Sequence, residues 1–231
     1  MRSDTGPSPI PELPTLEAGL RLLETDGRPV SPLHALVADH VSLNQGSAYW
    51  IDTHGHARTQ PLARLAPDLR LLDRIQVARG FTPFQHYSLI QCLTATVDAD
   101  TSLLVFPALD GMYRDDALQD EEATEMLVRV IAEIAGLSRD YELPVIITRT
   151  RDDAFASPIE TASVETIRCE QTQMGPRFVG DAFETLVYPL GNGHYQTTLA
   201  YWAEILSARQ PIYDAVRIDS PTTEVPADGS Y

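Results

Sequence analysis

Two stretches of the chain are apolar at nearly every position: SLLVFPAL at 102–109 and LPVIITRT at 143–150. Runs of this kind suit strands buried on both faces, as in a parallel sheet covered by helices. Between them, DEEATEMLVRVIAEIAGLSRDY (120–141) repeats its apolar residues every three or four positions and opens with acids. That spacing predicts an amphipathic helix, and acids suit the positive end of its dipole.

The same alternation runs through the first hundred residues. GLRLLET (19–25), SAYWID (47–52) and DRIQVAR (73–79) read as strands. SPLHALVADHVSL (31–43), with Ser31 at the N-cap and Pro32 behind it, TQPLARLA (59–66) and PFQHYSLIQCLTATV (83–97) read as helices. Beyond residue 150 the pattern turns to β: ASVETIRCEQT (162–172), PRFVGDAFETLVYPL (176–190) and HYQTTLAYW (194–202). Strands alternating with helices imply βαβ crossovers. The expected class is α/β: a mainly parallel sheet with helices on both faces and antiparallel strands toward the C-terminal end. Residues 1–12 read as a flexible lead, 13–210 as one core domain and 211–231 as a flexible tail.

Composition changes the picture in one respect. The net charge is −16, and every positive side chain is arginine, because the sequence contains no lysine. An acidic, lysine-free surface is the expected adaptation to a high-salt cytoplasm such as that of haloarchaea. The acidity opposes broad nucleic-acid binding at low salt, although 1 M salt screens that repulsion within about 3 Å. The N-terminus has no apolar core of a signal peptide, and no apolar run approaches the ~20 residues of a membrane span, so a cytoplasmic protein without membrane partners is expected. Cys92 and Cys169 form neither a disulfide framework nor a zinc pattern and are expected as buried, inert thiols.

The first candidate chemistry lies in YWIDTHGHA (49–57). At a strand end His54 and His56 would project to one side beside Asp52, and two imidazoles with a carboxylate can ligate a metal. The pattern resembles the H-x-H strand of the amidohydrolases. That family needs further ligands on later strands of a barrel, and downstream only His86 and His194 remain. A metal-dependent hydrolase on Asp52, His54 and His56 is therefore the alternative reading, and the leading one assigns no metal and no cofactor.

A second resemblance covers residues 13–200. YWIDTHG, a helix at TQPLARLA, LLDRIQVARGFTPFQHYSLI, SLLVFPALDGMYRDD, LPVIITRTRDD and IRCEQTQMGPRFVG follow the order and spacing of the RecA/RadA recombinase core. The resemblance implies a RecA-like fold with its nucleotide site at Gly27–His34. A working P-loop needs G-x-x-x-x-G-K-[ST], with lysine and hydroxyl on the phosphates and Mg²⁺. This chain keeps Gly27 and Arg28 but places Pro32, Leu33 and His34 where G-K-[ST] would stand. The Walker B acid falls at Pro107, and the water-activating carboxylate at His54. With three parts missing, the resemblance implies no catalytic residues: a pseudo-ATPase of archaeal recombinase type, acting as a scaffold or adaptor in DNA recombination or repair through a recombinase or repair protein.

Arginines following the core strands supply the remaining candidates. Arg149 and Arg151 stand where recombinases place a DNA-binding loop, and direct DNA contact is a third reading. Asp152 and Asp153 favour a locally paired surface instead. Arg114, a further candidate for DNA or partner contact, is expected instead to be structural or paired with Asp115 or Asp116. Phe81, Phe84 and Tyr87 are expected in the core rather than in an interface. No Ser/His/Asp or Cys/His nucleophile set can be assembled.

Overall fold

The computed structural model describes residues 10–25, 30–114, 116, 118–172, 175–181, 183–185 and 198–219. A seven-stranded sheet carries the fold, in the order β3-β2-β4-β5-β1-β6-β7. Its strands are β1 (Gly19–Thr25), β2 (Ser47–Asp52), β3 (Ile75–Arg79), β4 (Thr101–Phe106), β5 (Pro144–Ile147), β6 (Glu165–Thr172) and β7 (Gly175–Val179). All neighbours run parallel except β6 and β7.

Alternating side chains explain the continuous apolar runs. Along β4, Leu103 and Val105 point to one face and Leu104 and Phe106 to the other, and all four are fully buried. Burying Phe106 alone is worth about 1.5–3 kcal/mol. On the first face lie helices α1 (Val30–Leu43), α2 (Thr59–Leu65), α6 (Thr198–Ala208) and α7 (Gln210–Asp219). The second face holds α3 (Pro83–Leu93), α4 (Asp120–Asp140) and α5 (Ser157–Ala162). Helix α4 buries Ala123, Leu127, Val130, Ile134 and Leu137, the stripe its periodicity predicts. No helix among the described residues is long and apolar enough to cross a membrane.

The chain turns sharply between α1 and β2. Gly46 sits at φ +92°, and a Cβ placed there would lie 2.0 Å from the carbonyl oxygen of Asp100. Only glycine accepts both constraints. Arg74, in a 3₁₀ turn ahead of β3, donates to the carbonyls of Val41 (2.8 Å), Asn44 and Gly46 (2.9 Å), satisfying acceptors that α1 leaves open at its end.

Four expectations need correction. Residues 198–202 begin α6 and not a strand: Tyr201, Trp202, Ile205 and Leu206 recur at helical spacing and pack on the first face. The expected tail at 211–231 opens instead as α7, whose Tyr213 is 1% exposed. The lead is pinned before residue 12, because the Pro11 carbonyl oxygen accepts from Nη1 of the buried Arg209 at 2.6 Å. The pattern also gave no sign of α5. Residues 186–197 of the predicted β segments, and 220–231 of the tail, lie outside the described residues.

Candidate functional site

Consecutive crossovers diverge at the carboxyl end of the sheet. From β1 the chain passes to α1 on the first face; from the adjacent β5 it passes to α5 on the second. In open α/β sheets such a switch point leaves a crevice beyond the strand ends. Here the crevice has a volume of about 570 Å³ and is lined by the ends of β1, β5 and β6, with Ala108 and His56.

The carboxylates at this end of the sheet are engaged by arginines. Asp52, at the end of β2, is fully buried; its Oδ2 accepts from Arg79 Nε at 2.7 Å and its Oδ1 from the Ala57 N–H at 2.9 Å. Asp110, also fully buried, accepts from Arg114 Nε (2.6 Å), the Thr150 N–H (2.7 Å) and Thr150 Oγ1 (2.5 Å). Glu24, at the end of β1, pairs with Arg149 and with Arg168 at 3.4 Å. A carboxylate paired with arginine in this way has its charge already compensated, so a cation gains less by binding it.

The metal candidates separate. The strand ends at Asp52, and His54 sits in the left-handed region at φ 55°, so the two-residue period stops before His54 and His56. His54 is exposed and His56 half-buried. Burial holds the His56 imidazole below its ordinary range, keeping it neutral near pH 7. No group of three or more His, Cys, Asp or Glu residues among the described residues is placed to hold a metal ion.

The P-loop positions divide likewise. Gly27 and Arg28 lie outside the described residues. Pro32, Leu33 and His34 are buried in α1, with the His34 ring 5.1 Å from that of Trp50. Pro107 is buried, and its carbonyl accepts from Thr53 Oγ1 at 2.9 Å. The following Ala108 adopts φ 48°, with its N–H bonded to Thr148 Oγ1 at 2.7 Å.

Arg149 is not presented to a nucleic acid. Its side chain is 7% exposed and holds Glu24, Asp152 (3.0 Å) and Glu160 (3.2 Å). Local pairing was the right expectation for Asp152, whereas Glu24 and Glu160 are reached only through the fold. Arg114 pairs with Asp110 and Asp153 and lies 4.7 Å over the Phe155 ring, in place of the Asp115 and Asp116 pairing. Arg151 is exposed and has no hydrogen bond or ion pair among the described residues.

Two further expectations fail. Cys92 is exposed on α3, while Cys169 is buried. Phe81 and Phe84 are 72% and 55% exposed, at the end of the sheet where β3 has no outer neighbour among the described residues. Leu69 and Val77 are exposed nearby in sequence. Asp110 and Arg79 were the residues the sequence reading missed; an acid three positions after Pro107 and an arginine closing IQVAR are the only traces they leave.

Two buried histidines make stability depend on pH. Burial holds His40 and His86 down at about 4. Unfolded imidazoles titrate near about 6.5, so below that pH the unfolded chain takes up protons that the folded chain refuses. The contribution is complete above pH ~6.5 and is lost as the pH falls, by roughly 1–2 kcal/mol per histidine at pH ~5. The thermal midpoint at fixed salt is expected to drop between pH 7 and 5, and less steeply in the His40→Gln variant. A flat profile contradicts the burial of neutral imidazoles.

Comparison with protein-family models and with curated proteins finds no match.

Proposed function

We propose that this chain is a non-hydrolysing, RecA/RadA-like scaffold that works as an adaptor for a recombination or repair protein. One observation carries the reading: the acids at the carboxyl end of the sheet, where such domains hold Mg²⁺ and nucleotide phosphate, are bonded to arginines. Asp52 holds Arg79, Asp110 holds Arg114, and Glu24 holds Arg149. Hydrolysis of a nucleoside triphosphate needs carboxylates free for the metal shell and a cation on the β/γ-phosphates. The sequence has no lysine, and Leu33 and His34 are committed to the core.

Adaptor work needs a contact surface, and the free edge at β3 supports one. An uncovered edge strand offers unpaired backbone groups to an extended segment of a partner. Val77, Phe81 and Phe84 add exposed apolar surface there. Arg58, Arg64, Arg70 and Arg74 lie between residues 58 and 74, against only Asp68 and Asp73, in a chain of net charge −16. This local excess of positive charge favours an acidic segment in an extended conformation.

The test is made on the full chain in molar KCl. Turnover of Mg·ATP, with and without DNA, is expected to stay at the level of the buffer blank. A recombinase or repair protein retained by wild type is expected to be lost from the Phe81→Ala/Phe84→Ala variant. Metal-dependent turnover that disappears on Asp52→Asn would overturn the reading.

A further inference from the structure

We propose that the crevice at the ends of β1, β5 and β6 binds a small monoanionic molecule with an apolar body, of the carboxylate class, held by Arg151 and His56. The inference rests on the reading above, in which this crevice no longer takes Mg²⁺ and a nucleoside triphosphate.

Position is the first argument. The crevice lies at the switch point of an open α/β sheet, and its volume of about 570 Å³ falls within the roughly 300–1,000 Å³ of small-molecule sites.

Charge is the second. Glu24 is held by Arg149 and Arg168, Asp152 by Arg149, and Glu170 by Arg177 at 2.8 Å. These carboxylates are committed, so they neither attract a cation nor strongly repel an anion. Arg149, nearly buried, is likewise committed to three acids. Arg151 alone among the crevice arginines has no partner among the described residues. Its unpaired guanidinium can take a carboxylate in the bidentate geometry the two groups favour. A polyphosphate would bring several negative charges to a crevice whose lining already holds Glu24, Asp152 and Glu170 beside Arg149, Arg151 and Arg168.

The uncharged surface is the third. His56 lines the crevice, and its imidazole makes no hydrogen bond among the described residues. Kept neutral by burial, it offers one donor and one acceptor to an atom beside the acid group. Leu23, Ala108 and Cys169 supply an apolar wall. Ala108 holds a left-handed backbone at φ 48°, and non-glycine strain of this kind gathers at ligand sites.

Benzoate is the probe, titrated calorimetrically into the full chain in potassium sulfate, which keeps ionic strength high without competing chloride. Saturable one-to-one binding is expected. Benzamide, its uncharged isostere, is expected not to bind. Arg151→Gln is expected to weaken benzoate at least tenfold and His56→Ala several-fold. Arg151 is exposed, so its variant is expected to melt with wild type, which separates loss of binding from loss of fold. Absence of saturation, or equal binding by Arg151→Gln, overturns the proposal. Mg·ATP is titrated in parallel: failure of benzoate with no ATP turnover removes this inference alone, whereas bound and hydrolysed ATP removes the scaffold reading with it.

Discussion

Arg209→Ala is expected to lower the free energy of unfolding by about 3–5 kcal/mol, the cost of stranding one partner of a buried ion pair. Arg209 joins the end of α6 to the start of α7, and it is 6% exposed. Its Nε and Nη2 reach Asp39 of α1 at 2.7 and 3.1 Å, and its Nη1 donates to the Pro11 carbonyl at 2.6 Å. Tyr213 adds its hydroxyl to the same carboxylate at 2.5 Å. Without the guanidinium, burial, which already pushes the Asp39 carboxyl up, leaves it with neither a cation nor water to support its charge, and the N-terminal segment loses its anchor. A domain of ordinary stability has only about 5–15 kcal/mol in total, so the variant approaches the limit of folding. Guanidinium chloride unfolding measures the loss. The double variant Asp39→Leu/Arg209→Met is expected to recover much of it, because replacing both partners leaves no unpaired charge. If the single variant costs less than the double, the pair does not tie these elements together.

Gly46→Ala is the second large effect. The methyl group would lie 2.0 Å from the Asp100 carbonyl oxygen, a backbone atom that also accepts the Ser47 N–H at 2.8 Å. Relief requires β2 to shift against the loop before β4, and those strands are paired neighbours inside the sheet. Left-handed strain costs roughly 1–3 kcal/mol and forced displacement roughly 1–3 kcal/mol more. An expected total of about 4 kcal/mol, read as a fall in thermal midpoint, distinguishes this turn from Gly55, which has open space around its Cα. Gly55→Ala is expected to cost no more than backbone strain alone.

Elements buried on two faces were the legible ones. Leu103 to Phe106 and Val145 to Ile147 announce strands because each neighbour in the sequence meets a different layer of helices. Helix α4 is equally plain, since its apolar stripe faces one layer and its acids face solvent. Helix α6 was misread because Thr198, Tyr201 and Trp202 favour strands locally, while the contacts that make it a helix are with α1 and α2, far earlier in the chain. Helix α7 carries an amphipathic period, with Ile212, Tyr213 and Val216 less exposed than Asp214, Arg217 and Ile218, and reading the segment as a tail passes over it.

At the candidate site the residue types were visible and their pairings were not. Arg149, just past the end of β5, and Glu24, on β1, meet only through the sheet order. Asp52 and Arg79 likewise meet because β2 and β3 pair in register at those two positions. The carboxylates therefore read in the sequence as free ligands, and the fold supplies each with a cation. Phe81 and Phe84 show the opposite error: aromatic residues are usually buried, and only the position of β3 at the edge leaves these uncovered.

The place of β1 in the sheet bears on how the protein is made. Gly19 pairs with Pro144, and Arg21 with Glu165, so β1 leaves the ribosome long before the strands it pairs with. At ~5–20 residues per second, the 125 positions from Gly19 to Pro144 take roughly 6–25 s to emerge. Throughout that interval Leu20, Leu22 and Leu23, all destined for the core, wait in an unpaired strand. Strands β2, β3 and β4 can already join one another, so the growing chain passes through a half-sheet with its central seam open, the stage at which a holding chaperone would matter most.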